Sequence, residues 1–165
     1  MMAEHDSGQI SLPDRLASPG DLARVTRELE ALDDSLYQAG LRKPGQPTKL
    51  ARSSATLEEL ARLNGVSLLD AKQRAQLIEL LHALLEHAPH VRMSLAAEPS
   101  GRFVQEVIVW MRGNIHPTVL VEIGLQPSLA AGCMLRTPNK VFDMSLRHRF
   151  EEQRHLLAEK IGETD

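Results

Sequence analysis

Two Glu-x-x-His pairs, Glu79 with His82 and Glu152 with His155, hold the residue types and spacing best suited to metal chemistry. That spacing brings a carboxylate and an imidazole onto one helix face, and carboxylate-bridged di-iron bundles use two such pairs. Such bundles also need two more inward carboxylates on four long helices, whereas the second half of this chain carries sheet signals. His82 further shares its flank with Glu86 one turn on, an ordinary surface pairing. His87 stands about 140° round the helix from His82, and Pro89 breaks the helix before His90 can join them. Glu98-Pro99-Ser100-Gly101 has one glycine and no following Lys-Ser pair, so it reads as a helix cap and not as a phosphate loop. Cys133 sits in an apolar strand and behaves as a small hydrophobe with no base beside it. No nucleophile, base and oxyanion donor assemble anywhere. The expectation is a protein without catalytic residues, metal or cofactor. A metal-binding enzyme using Glu79, His82, Glu152 and His155 is the chemical alternative.

The elements that would have to position any such site must be built with few rings. The chain has 165 residues, 42% hydrophobic but only 3% aromatic, so its packing rests on Leu, Val, Ile, Ala and Met. A net charge of -3 gives no global attraction to nucleic acid. No run approaches the roughly 20 apolar residues of a membrane span, and the acidic N-terminus lacks the apolar core of a signal peptide. A single cysteine allows no intrachain disulfide and fits a reducing compartment. A soluble protein with no direct membrane insertion is expected.

Residues 1–17 are polar and aperiodic and read as a disordered tail. Ser18-Pro19-Gly20-Asp21 then caps a helix whose Leu22, Val25, Leu29, Leu32 and Leu36 form a narrow apolar seam, with Gly40 as the stop. Residues 41–55, interrupted by Pro44, Gly45 and Pro47 and carrying Arg42, Lys43, Lys49 and Arg52, read as a basic linker. Thr56 with Glu59 forms a capping box for a short helix ended by Gly65. Ser67 with Asp70 opens a long helix through Leu68, Ala71, Ala75, Ile78, Leu81 and Leu85 to a stop before Pro89. Val91, Met93 and Leu95 alternate as in a half-buried strand. Ser100 caps a helix bearing Phe103, Val107, Trp110 and Met111. Thr118 to Leu125 reads as a strand buried on both faces.

From Gln126 onward strand, turn, strand, cap and helix follow without a spare residue. Cys133 to Thr137 is a strand, Pro138-Asn139 a turn and Val141-Phe142 a return strand. Asp143 or Ser145 supplies a cap, and Leu146, Phe150, Leu156, Leu157 and Ile161 fall roughly on one face of a terminal helix. The fold class is therefore mixed α and β: a shortened N-terminal helical region (18–65), then a small α/β domain (66–165) made of a βαβ unit, a β-hairpin and a terminal helix.

The residues Pro127, Ser128, Leu129, Gly132, Val141, Asp143, Ser145 and Arg147 stand in an order that resembles the C-terminal signature of the delta subunit of F-type ATP synthases, the oligomycin-sensitivity-conferring protein family. The match is gapless across the block. Gln126 replaces the usual acid before the proline, and Ala131 replaces the first of the usual glycine pair. The likeness in element order extends over residues 67–161, while the N-terminal part is shorter than the family's helical bundle and lacks its opening motif. The resemblance implies a non-catalytic peripheral-stalk (stator) subunit linking the catalytic head to the b-type stalk helices, on the cytoplasmic face of the membrane. It implies the b-type subunit as partner through the C-terminal domain, and the alpha subunits of the head through the N-terminal region. Arg147, Arg149, Phe150 and Leu157 are the candidate partner-binding residues. The alternative class is a free-standing small α/β protein-interaction or regulatory module.

Overall fold

The computed structural model describes residues 10–41, 52–129, 131–146 and 153. In chain order these give helices α1 (Pro19–Leu41), α2 (Ala55–Leu63) and α3 (Ala71–His87), strand β1 (His90–Leu95), helix α4 (Gly101–Asn114), strand β2 (Leu120–Leu125), a single 3-10 turn (Pro127–Leu129), and strands β3 (Gly132–Arg136) and β4 (Val141–Ser145). The mixed α/β class expected from the sequence is the one observed. The described residues fall into two units, the first within Met1–Pro89 and Gln105–Leu120, the second within His90–Val104 and Val121–Asp165.

The first unit is built on the apolar seam of α1. Ser18 Oγ accepts from Asp21 N at 3.1 Å, and Asp21 Oδ2 accepts from Ser18 N at 3.2 Å, so the expected cap forms reciprocally. Leu22, Val25 and Leu29 are then buried against Leu57 and Leu60 of α2, Leu77 and Leu81 of α3, and Leu120. Each such leucine contributes about 1.5–3 kcal/mol of burial, which isolated helices of this length lack. Two ties lock the helices in register. Arg74 Nε, on an almost fully buried side chain, donates to Asp33 Oδ1 at 2.6 Å while Nη1 donates to Leu68 O at 2.9 Å. The backbone N–H of Ser54 donates to Glu28 Oε1.

Three expectations change in this unit. The boundary near residue 66 is not where contacts divide, because α3 packs on α1 and shares its core. Residues 10–17 are ordered: Ile10, Leu12 and Leu16 are buried in the same core. Their segment crosses it without helical or strand period, held by Arg112, which donates to Leu12 O (3.1 Å), Pro13 O (2.9 Å) and Leu16 O (2.6 Å). Helix caps also shift. Ser54, not Thr56, caps α2, accepting from Leu57 N at 3.2 Å, and Asp70 itself caps α3, accepting from Lys72 N and Gln73 N. Gly65 does end the α2 region, with φ 63 and Val66 N donating back to Ala61 O at 2.9 Å. The linker residues 42–51 lie outside the described residues.

The second unit holds the sheet apart from Leu120, in the order β2-β1-β3-β4. Leu120 N donates to Pro89 O and Gln126 N to Leu95 O, a register rising in both strands, so β1 and β2 run parallel as a β-α-β connection requires. β3 is antiparallel to β1 and to β4, with Met93 opposite Leu135 and Leu135 opposite Phe142. β2 is an edge strand, which corrects the expected two-sided burial: Val121 is buried, but Glu122 is exposed and Leu125 is 58% exposed. On α4 the buried residues are Ile108 and Met111, not the expected Trp110. Of the four apolar positions expected on this helix, Met111 is buried, Val107 is half-buried and Phe103 and Trp110 are exposed; Ile108 takes the second buried place.

Candidate functional site

The block between residues 126 and 146 folds as one supersecondary unit. Gln126 N donates to Leu95 O at 2.8 Å, closing β2, and Leu129 N donates back to Gln126 O at 3.0 Å to form the turn begun by Pro127. Proline suits this start, since its fixed φ is helical and it has no N–H to satisfy. Leu129 is buried at 2% exposure and anchors the turn, whereas Ser128 is exposed. Ala131 N donates to Leu129 O at 2.7 Å, and Ala131 O accepts from Leu146 N at 2.9 Å, so the two ends of the hairpin meet here.

Gly132 occupies the tightest point. Its φ is 89, in the left-handed region, and a Cβ there would collide with Met144 O and come within 3.0 Å of Ser145 Cα. The left-handed demand therefore falls on Gly132, the glycine that the sequence retains. Opposite it, Ser145 N donates to Asp143 Oδ1 at 2.8 Å, and Ser145 Oγ is buried without a hydrogen-bond partner among the described residues. Asp143 and Ser145 thus lie in β4, which is longer than expected, and the helix that they were expected to cap lies outside the described residues. At the far end Thr137 N donates to Lys140 O at 2.8 Å and Lys140 N to Thr137 Oγ1 at 3.1 Å, closing the loop of Pro138 and Asn139. Val141 pairs with Arg136 and is 55% exposed. Seven motif residues, Pro127 through Ser145, are thereby brought together. Arg147, Arg149, Phe150, Leu157 and the rest of the expected terminal helix lie outside the described residues.

Beside the block runs a shallow apolar groove lined by Leu95, Ala96, Ala97, Pro99, Phe103, Ala131 and Gly132. Sequence reading did not single it out. Its signal is the two pairs of small residues, Ala96-Ala97 and Ala131-Gly132, whose short side chains line it together with Phe103. Ser100 caps α4 next to it, accepting from Phe103 N at 3.2 Å.

The electrostatics of the sheet concentrate on its other face. Arg92 Nη2 donates to Glu122 Oε1 at 2.7 Å across β1 and β2. This hydrogen bond holds the Glu122 carboxyl below its ordinary range and raises the Arg92 guanidinium further. Arg136 is registered beside Arg92. In the first unit burial pushes the Arg112 guanidinium down, opposed by Asp14 at 3.8 Å.

Of the two metal-spaced pairs, only Glu79 with His82 lies among the described residues. His82 Nε2 is hydrogen-bonded to Glu30 Oε1 at 2.7 Å, not paired with Glu86, which lies 3.9 Å from His87. Glu79 is exposed, and Glu152 with His155 falls outside the described residues. Among the described residues no three His, Cys, Asp or Glu side chains cluster as metal ligands. Nor is any described helix long and apolar enough to cross a membrane. No protein-family model matches the chain, and no curated protein sequence is significantly similar to it.

Proposed function

We propose that this chain is a non-catalytic peripheral-stalk subunit of an F-type proton-translocating ATP synthase, tying the catalytic head to the b-type stalk helices. The observation that carries the reading is the conformation of Gly132. The block from Pro127 to Ser145, which resembles the delta-subunit signature, contains one position where a side chain cannot be accommodated, and the signature's retained glycine occupies it. Rotor torque would be resisted through broad, rigid contacts, for which a packed hairpin anchored by Leu129 is suited and a pocket is not needed. The first unit, with α1 to α3 around one leucine core, would face the head.

The test is a pull-down of the full chain with the C-terminal segment of the b-type subunit from the same organism. Retention that weakens with salt supports the reading, because rim charges such as Arg147 and Arg149 tune association. No retention by a folded chain would leave a free-standing α/β interaction module.

A further inference from the structure

Residues 10–17 enter the core of the first unit as a lodged peptide, outside any helix or strand. Ile10, Leu12 and Leu16 are buried, two and then four positions apart, while Ser11, Asp14 and Arg15 between them are exposed. A turn, in which Leu16 N donates to Pro13 O at 3.0 Å, sets the longer of the two spacings. Side chains far along the sequence hold the backbone. Asn64 Oδ1 accepts from Ser11 N at 2.8 Å and Asn64 Nδ2 donates to Ser11 O at 2.9 Å, the two-way pairing that a neighbouring strand would give. Arg112 donates Nη1 to Leu12 O and Pro13 O, and Nη2 to Leu16 O. Holding main-chain atoms while alternate apolar side chains drop into a core is how a groove receives an extended peptide.

Arg112 itself is incompletely answered. Its side chain is 10% exposed, and its Nε is buried without a hydrogen-bond partner among the described residues. Asp14 Oδ1 stops 3.8 Å from Nη1 on a side chain that is 62% exposed, so water screens the attraction. Burial disfavours the charged guanidinium by more than Asp14 restores. The three carbonyls are neutral acceptors, and a carboxylate in direct contact would form the stronger, charge-assisted bond. We propose that the groove filled by residues 10–17 is a recognition site for an extended apolar segment of a partner protein that brings a carboxylate against Arg112, with this chain's own segment as its resident occupant. The partner presents aliphatic residues at the spacing of Ile10, Leu12 and Leu16, and an acidic side chain long enough to close the gap that Asp14 leaves. In its absence the chain's own segment, joined directly to the capped start of α1, fills the groove at an effective concentration on the order of millimolar. The site belongs to the first unit alone and does not depend on the stalk reading.

Fluorescence anisotropy of labelled peptides of residues 10–17, carrying Asp14→Glu or Asp14→Asn, tests the site on the full chain. The same peptides are titrated into its Ile10→Ser/Leu12→Ser variant, whose own segment holds the groove less firmly. The variant should bind the glutamate peptide at least about tenfold more tightly than the unaltered chain does, because the competitor in cis is weakened. It should bind the asparagine peptide about tenfold less tightly than the glutamate peptide. Equal binding by variant and unaltered chain overturns the site, as does no binding up to several hundred micromolar by a variant that melts cooperatively. Equal affinity for the two peptides overturns the acidic partner. If the variant does not fold, trypsin cleavage after the exposed Arg15 of the unaltered chain decides, since the protease takes the segment only once it is drawn out of the groove. Cleavage at a rate unchanged by low urea is expected of a segment that leaves by itself, as exchange with a partner requires. A rate that climbs with urea as steeply as global unfolding overturns the proposal, because the segment is then a fixed part of the core.

Discussion

A methyl group at residue 132 would meet Met144 O and Ser145 Cα, and it would sit on a backbone with φ 89. Left-handed backbone alone costs a residue with a side chain about 1–3 kcal/mol, and the collision adds to it. Gly132→Ala should therefore lower the thermal midpoint of the chain clearly, whereas Gly113→Ala, where a Cβ meets nothing, should not. Equal melting of the two variants would remove Gly132 from its structural role. Arg112 is the second residue on which much depends. Its guanidinium satisfies three carbonyls of the segment that lays Ile10, Leu12 and Leu16 into the core. Arg112→Met should cost roughly 2–4 kcal/mol and expose the segment before Ser18 to protease, since three buried acceptors lose their donor. Arginine at 112 had no sequence signal of this duty, because its partners lie about a hundred positions away and are backbone atoms.

At the scale of elements, local chemistry was readable where a single solution exists. Ser18 and Asp21 cap α1 as their spacing demands, and Val91 and Met93 alternate into the core as a strand should. Where two local solutions compete, tertiary contacts chose. Ser54 starts α2 ahead of the expected cap because its N–H meets Glu28 of α1, and α4 buries Ile108 while leaving Trp110 59% exposed. Neither contact is visible in a window of local sequence. Residues 118–125 read as a strand buried on both faces because they are dense in Val, Leu and Ile; Val119, Leu120 and Val121 are buried, but β2 is an edge strand whose Glu122 and Leu125 are exposed. There the Arg92–Glu122 pair replaces apolar burial and gives a pH dependence of known sign. The hydrogen bond depresses the Glu122 carboxyl, so its stabilisation is present above the ordinary glutamate value, about 4.3, and is lost as pH falls through the lower folded value. Glu122→Gln should flatten that part of the acid unfolding profile, and high salt should shrink the difference, because the pair is exposed.

For the molecule as a whole, the division into two units was the least legible feature. α3 precedes the sheet directly in sequence, yet its Leu77 and Leu81 complete the core begun by Leu22 and Leu29. A seam of leucines announces that it needs a partner and does not say which helix provides it. The hairpin was more legible, because strand, tight turn and strand are local, and Gly132–Arg136 and Val141–Ser145 pair as antiparallel strands. The stalk reading rests on that block, and calorimetric titration of the full chain with the C-terminal segment of the b-type subunit tests it most directly. Saturable binding at about 10 µM or tighter, about -7 kcal/mol, is the expected result. An absence of heat and of binding up to several hundred micromolar, by a chain that still melts cooperatively, would contradict it.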